Sequence, residues 1–114
     1  MCSDSVYGAM PDWDVSQVTD MEKAFAHRSD FNANISSWNV SSVTNMENMF
    51  KNAPVFNQPI GNWDVSKVTR MGYMFSESPF NQDISTWDVS NVIHCGFFDV
   101  YSVLDRGFYP IFTN

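Results

Sequence analysis

One arrangement of apolar and polar positions recurs four times along the chain. Each copy opens on an apolar residue, which is followed three positions later by Trp and five positions later by Val. The opening residues are Met10, Ile35, Ile60 and Ile84. Their spacing of 25, 25 and 24 residues is typical of solenoids, in which each unit buries its apolar side against its neighbours. The pattern predicts a lead-in over residues 1–9, a repeat solenoid over residues 10–95, and a divergent C-terminal cap or tail over residues 96–114.

The first half of each repeat has the pattern of a short strand. Trp and Val alternate with one polar residue between them, as expected for a strand with a single buried face. Both residue types also favour strands. The apolar positions 1, 4 and 6 follow the L-x-x-L-x-L spacing of leucine-rich repeats. We therefore predict one short parallel strand in each repeat.

The second half of each repeat has the pattern of a short helix. Thr44 and Glu47 have the spacing of a capping box, in which two side chains satisfy the first free amides of a helix. Met46, Met49 and Phe50 then follow at the spacing of one helix face. The predicted fold class is an α/β solenoid, leucine-rich-repeat-like, with about four repeats of 24–25 residues, each a short parallel strand plus a short helix.

Two further columns of equivalent residues follow the predicted helices. They contain three phenylalanines, each followed by an asparagine: Phe31, Phe56 and Phe80, with Asn32, Asn57 and Asn81. Stacked phenylalanine rings can form a spine inside the array, and asparagine amides can bond the backbone of the adjacent repeat. We interpret both columns as structural.

Composition excludes some classes of function. The 13 acidic and 6 basic residues give a net charge of -7, which repels phosphate backbones, so nucleic acid is not a predicted partner. There is no apolar run of about 18 residues, and residues 1–12 lack a basic start followed by an apolar core. The chain as given thus shows neither a transmembrane segment nor a signal peptide.

Residues with catalytic or metal-binding chemistry are scarce in this sequence. His27 and His94 occupy non-equivalent repeat positions, and neither has a Cys or a second His at ligand spacing. Nucleophile-elbow and phosphate-binding glycine motifs do not occur. The methionines have the spacing of core residues. We predict no catalytic residue, no metal site and no cofactor, and hence no enzyme.

The residue between Trp and Val in each repeat is the candidate for function. These residues are Asp14, Asn39, Asp64 and Asp88. Alternation along the predicted strand directs them away from the core, onto the strand face. One interpretation is structural, because each side chain can form an Asx-turn with the serine two residues later. The other is an acidic strip that binds a basic protein segment, a glycan or calcium.

The repeat unit resembles that of a known family. Phe80-Asn81-Gln82-Asp83-Ile84-Ser85-Thr86-Trp87-Asp88-Val89-Ser90-Asn91-Val92 is similar to the repeat of BspA-like leucine-rich repeat surface proteins, which include the mycoplasma surface-protein family of unknown function. The resemblance covers residues 10–95, with departures at Ala24, at Asn39 and after Ile93. It implies a cell-surface or secreted location and contact with host or neighbouring-cell molecules.

Together these observations predict a non-enzymatic recognition or adhesion module. It would bind a protein or glycan at a cell surface through the strand face. The alternative is a structural spacer repeat of a larger surface protein with no binding site of its own, and a third hypothesis is calcium-stabilised adhesion. The ligand and the oligomeric state stay open.

Overall fold

A computed structural model describes residues 10–99 and 103–112 of the chain. Within these residues there is no α-helix and no β-strand, and the regular segments are two 3-10 helices, Met10–Asp12 and Arg106–Phe108. The predicted α/β solenoid, with a strand and a helix in each repeat, is therefore wrong. The predicted lead-in over residues 1–9 lies outside the described residues, as do residues 100–102 and 113–114 of the predicted tail.

The repeats nevertheless lie side by side in sequence order. Isolated parallel bridges connect equivalent residues of successive repeats: Asp20 with Asn45, Asn45 with Arg70, and Arg70 with His94. Each bridge is a single pair, so the described segments are too briefly paired to form a strand. The molecule measures 42 × 27 × 20 Å, and one apolar core continues through all four repeats.

The segment predicted as a helix consists of tight turns. In the second repeat the N–H of Met49 donates to the carbonyl of Met46 at 3.2 Å, three residues back. The N–H of Asn48 instead donates to the carbonyl of Gly72 in the next repeat, at 2.9 Å. Asn48 has a φ of 58°, in the left-handed region, which interrupts a right-handed helix. The other non-glycine residues with positive φ in the described part of the chain are Lys23, His27, Asn52, Tyr73, Glu77 and Phe97.

The predicted capping box is also wrong. The hydroxyl of Thr44 donates to the carbonyl of Thr19 at 3.2 Å, across to the preceding repeat. The N–H of Glu47 donates to the side-chain Oδ1 of Asn45 at 2.9 Å. The carboxylate of Glu47 accepts the N–H of Gly72 at 2.8 Å. Thr44 and Glu47 thus connect neighbouring repeats and begin no helix.

The segment predicted as a strand is a turn as well, although its Trp and Val are buried as expected in the second, third and fourth repeats; in the first repeat Trp13 is exposed. The N–H of Trp63 donates to the carbonyl of Ile60 in its own repeat, at 3.1 Å. Its indole N–H donates to the carbonyl of Ile35 in the preceding repeat, also at 3.1 Å. The equivalent indole bonds of Trp38 and Trp87 measure 3.0 and 3.1 Å. The side chains of Trp38, Trp63 and Trp87 therefore connect neighbouring repeats, whereas their backbone N–H groups close turns within their own repeats.

The phenylalanine spine is confirmed and is wider than predicted. The rings of Phe31 and Phe56 lie 5.5 Å apart, and those of Phe56 and Phe80 lie 5.9 Å apart. Phe50 stacks on Phe56 at 4.1 Å, within the same repeat. Phe25, Phe50 and Phe75 form a parallel column with spacings of 5.7 and 5.6 Å. Two phenylalanine columns therefore pack against each other through the core.

The asparagine column has the predicted role. The N–H of Asn57 donates to the side-chain oxygen of Asn32 at 2.9 Å, and the N–H of Asn81 donates to that of Asn57 at 2.8 Å. Asp105 continues the series, because its N–H donates to the side-chain oxygen of Asn81 at 2.8 Å. The described residues after 95 contact the preceding repeats in other places too, for example where Phe98 packs edge-on against Phe75 at 5.2 Å.

Candidate functional site

The four residues between Trp and Val form a column of exposed side chains, which we name the acidic column: Asp14, Asn39, Asp64 and Asp88. In each case the side-chain Oδ1 accepts the N–H of the serine two residues later, at 3.0 or 3.1 Å. These bonds are Asx-turns, as the structural interpretation expects. The structure thus places all four predicted site residues at the surface, at the same point of each repeat.

A second bond strengthens three of these turns. The hydroxyls of Ser41, Ser66 and Ser90 donate to the same Oδ1 atom at 2.6 Å. The serine thereby donates twice to one oxygen of the acidic column and holds its side chain in one orientation. At Asp64 and Asp88 the second carboxylate oxygen, Oδ2, is the atom left for an external partner.

These hydrogen bonds lower the pKa of the aspartates. The hydroxyl of Ser66 has the largest effect on the pKa of Asp64, followed by its N–H, because both favour the ionised carboxylate. Ser90 lowers the pKa of Asp88 in the same way, while the nearby charge of Asp64 acts in the opposite direction. Ser16 likewise lowers the pKa of Asp14. The column therefore carries negative charge over the whole physiological pH range.

The stability of the protein should depend on these carboxylates in acid. A lowered pKa in the folded state stabilises the protein above the ordinary aspartate pKa, about 4, and that contribution is lost as the pH falls through the lowered pKa. We expect the triple variant Asp14→Asn, Asp64→Asn, Asp88→Asn to lose less stability than the wild type between about pH 4 and pH 2. Thermal unfolding across this range measures the difference.

The matched control is the triple variant Asp12→Asn, Asp30→Asn, Glu77→Gln, which removes three exposed carboxylates outside the acidic column. Asparagine suits the test because Asn39 already makes the same two serine bonds, at 3.0 and 2.6 Å. The melting temperature of the triple variant at pH 7 should therefore stay close to that of the wild type. An acid-induced loss equal to that of the wild type would show that the Asx-turn charges do not contribute.

Asx-turns also occur elsewhere in the repeats, where the sequence reasoning did not anticipate them. The acceptor side chains are those of Asp20, Asn34, Asn45, Asp83 and Asp105. The sequence contained a signal for these turns, because in each case an Asp or Asn stands two residues before the residue whose N–H it accepts. The turn is thus a general device of this chain, and it does not by itself mark the acidic column as functional.

Two surface depressions lie apart from the acidic column. A shallow groove of about 380 Å³ is lined by Ser36, Pro59, Gly61, Asn62, Gln82 and Asp83. A smaller cavity of about 240 Å³ is lined by Lys23, Ala26, His27, Asn48 and Lys51, and the sequence reasoning did not predict it. No group of three or more His, Cys, Asp or Glu residues able to hold a metal ion occurs within residues 10–99 and 103–112.

The fold and the acidic column define a protein of stacked, turn-built repeats. The chain belongs to the family described as Mycoplasma protein of unknown function, DUF285, whose sequence profile matches residues 2–102. No curated protein and no solved structure matches the chain. In the described part of the chain, no helix has the length and apolar character needed to cross a membrane. The mycoplasma-type resemblance is thus confirmed, while the BspA-like relationship stays a prediction.

Proposed function

We propose that this protein is a non-enzymatic recognition module that binds a protein or glycan through the acidic column. The observation that carries the proposal is the display of Asp14, Asp64 and Asp88 at equivalent exposed positions, each fixed by an Asx-turn. A side chain already held in one orientation loses less conformational entropy when a partner binds. The column is therefore a pre-organised row of acceptors.

The charge of the column favours a basic protein segment as the partner. Asp64 and Asp88 lie close enough for the charge of one to act on the pKa of the other. Neighbouring negative charges raise the local concentration of a cationic partner and speed its association. A single exposed ion pair contributes little, so binding would depend on several carboxylates acting together. The net charge of -7 acts in the same direction.

A cell-surface or secreted location is part of this proposal. It rests on the resemblance of the repeat to BspA-like surface proteins, which contact molecules of a host or neighbouring cell. The exposed column is compatible with such contact because the Asx-turn bonds of its side chains lie within single repeats.

A structural spacer is the second candidate, and one observation favours it. The same Asx-turn occurs at five further positions, including Asp20 and Asp83, which lie outside the acidic column. In this case the carboxylates of the acidic column would have no partner outside the chain, and the repeats would supply length to a larger surface protein.

The double variant Asp64→Asn, Asp88→Asn separates the two candidates. It removes two charges and keeps both turns, as Asn39 shows. We expect its dissociation constant for a fluorescent octalysine peptide to rise by roughly fivefold, because each exposed ion pair contributes about 0.2–1 kcal/mol. Fluorescence anisotropy at low salt measures the affinity, and a glycan array probed with the same proteins tests the glycan alternative.

The control is Asp30→Asn with Glu77→Gln, which removes two exposed charges elsewhere and changes the net charge by the same amount. Recognition by the column requires that only the first variant loses affinity. Equal loss in both variants would indicate an effect of net charge alone. If both variants bind every probe as the wild type does, the spacer is supported.

A further inference from the structure

The cavity between the first and second repeats collects basic side chains. Lys23, His27 and Lys51 line it together with Asn48 and Ala26, and none of the five lining residues is acidic. The whole chain has only 6 basic residues against 13 acidic ones, and two of the six meet here. A volume of about 240 Å³ is sufficient for one acid group and part of the molecule that carries it.

Backbone bonds between the two repeats hold the walls of this cavity in place. The N–H of Lys23 donates to the carbonyl of Glu47 at 2.9 Å, and the N–H of His27 donates to the carbonyl of Lys51 at 2.9 Å. Two of the lining residues from one repeat are thus fixed against the other repeat. The cavity is therefore a product of repeat stacking and does not exist within a single unit.

The carboxylates next to these residues in sequence have other partners. Glu22 accepts a bond from the side-chain amide of Asn45 at 3.3 Å. Glu47 accepts the N–H of Gly72 at 2.8 Å. Neither glutamate is among the residues that line the cavity. No carboxylate of the lining therefore offsets the positive charges of Lys23 and Lys51.

His27 is oriented so that it adds a donor. Its Nδ1 lies 3.2 Å from the side-chain nitrogen of Asn52. In the ring tautomer that carries its proton on Nε2, Nδ1 accepts from this amide and His27 keeps a second N–H for a ligand. Lys23 and Lys51 offer charged donors.

Two exposed aromatic rings continue from the cavity. The Nζ of Lys51 lies 5.0 Å from the centre of the Tyr73 ring. Tyr73 in turn stacks on Phe97 at 5.2 Å, and Phe97 is 62% exposed. Exposed aromatic faces of this size pack against the apolar side of a ligand.

We propose that this cavity and these two rings bind an anionic saccharide. Its sulfate or carboxylate group lies among Lys23, His27 and Lys51, and the C–H face of its sugar ring lies on Tyr73 and Phe97. Charged donors bind acid groups more strongly than neutral donors do, and an adjacent apolar platform selects a molecule that has both features. This site shares no residue with the acidic column, so it stands or falls independently of the proposed function.

The first test compares ligands on the wild-type chain by calorimetry and amide NMR. The probes are a sulfated heparin disaccharide, an unsulfated disaccharide that contains glucuronic acid, neutral cellobiose, and inorganic sulfate. We expect the acidic disaccharides to bind and to shift amide resonances in residues 23–27 and 48–51, with cellobiose inactive. The acidic disaccharide that binds more tightly shows whether the site prefers a sulfate or a carboxylate group. Failure of both acidic disaccharides to bind, or equal binding of cellobiose, overturns the proposal.

The second test uses charge-matched variants. Lys23→Gln with Lys51→Gln should weaken binding of the acidic disaccharide about tenfold or more, because hydrogen bonds to charged groups contribute about 1.5–3 kcal/mol. Lys67→Gln with Arg106→Gln makes the same change in net charge at exposed sites that do not line the cavity. An equal loss in both variants, or no loss in the first, contradicts the proposed site.

The third test addresses the aromatic platform. Tyr73→Asn introduces the residue that the preceding repeat has at the equivalent position, Asn48, where φ is 58° against 57° at Tyr73, so the backbone should not change. We expect weaker binding of the disaccharide and unchanged binding of inorganic sulfate. If the wild type binds sulfate as tightly as it binds the sulfated disaccharide, the rings take no part and the saccharide assignment is wrong.

Discussion

Replacement of Phe50 by alanine should reduce the free energy of unfolding by about 3–5 kcal/mol. Phe50 is fully buried, and its ring stacks on Phe25, Phe56 and Phe75 at 5.7, 4.1 and 5.6 Å. Removal of the ring therefore leaves a cavity that faces three other rings, which belong to three different repeats. A domain of this size has a total stability of about 5–15 kcal/mol, so the variant should lose a large part of it. Urea unfolding followed by tryptophan fluorescence measures the loss.

Phe97→Ala is the matched control for this experiment. It removes the same side chain from a position that is 62% exposed, where the ring contacts Tyr73. The expected cost is below about 1.5 kcal/mol, the contribution of a single aromatic pair. If both variants lost the same amount of stability, the phenylalanine columns would not be the principal support of the fold.

Gly61→Ala should destabilise the protein by about 1–3 kcal/mol. A methyl group at this position would lie well inside contact distance of the carbonyl oxygen of Asp83, the last residue before the fourth repeat opens at Ile84. That carbonyl is part of the backbone and cannot move alone, because the N–H of Ile84 is bonded to the carbonyl of Phe108 at 3.1 Å. The chain that enters the fourth repeat would have to move away from Gly61. Differential scanning calorimetry should show a lower melting temperature.

Gly96→Ala provides the comparison, since a methyl group there would meet no atom within 4 Å. Its melting temperature should stay near that of the wild type or rise, because alanine restricts the unfolded chain more than glycine does. Similar melting temperatures for the two variants would show that the close approach of Gly61 to Asp83 is not a constraint on stacking.

The sequence predicted the core of this protein better than its secondary structure. Ile35, Ile60, Trp63 and Phe56 are buried as the repeat pattern required, because burial follows from apolar character and from the repeat period. The spacing i, i+3, i+4 was interpreted as a helix, yet two successive tight turns also place those positions inside. Positive φ values decide between the two structures, and they fall on residues such as Lys23 and Tyr73, whose types seldom adopt them.

Stronger signals for turns were available in the second repeat. Asn48 and Asn52 occupy the two left-handed positions there, and asparagine is the non-glycine residue most often found in that region. A comparison of all copies at these columns would have weakened the helix prediction. The path of the backbone through these turns could be found only from the structure, because the hydrogen bonds that replace those of a helix run to another repeat.

The two candidate sites differ in how visible they are in the sequence. The acidic column could be predicted because its members occupy one position of the repeat, and the Asp-x-Ser spacing indicated the Asx-turn. The cavity lined by Lys23 and Lys51 could not be predicted, because these two residues occupy different positions of different repeats. Only the stacking of the first repeat on the second brings them together.

The bonds between repeats have a consequence for how such a protein can change in length. Asn57 bonds to Asn32 as Asn81 bonds to Asn57, and the indoles of Trp38, Trp63 and Trp87 each bond back to the preceding unit in the same way. Each inner unit therefore offers one surface to its predecessor and the complementary surface to its successor. A duplicated unit inserted between two others would contact both neighbours through surfaces that already exist. Gene duplication could therefore lengthen the protein without a new type of interface.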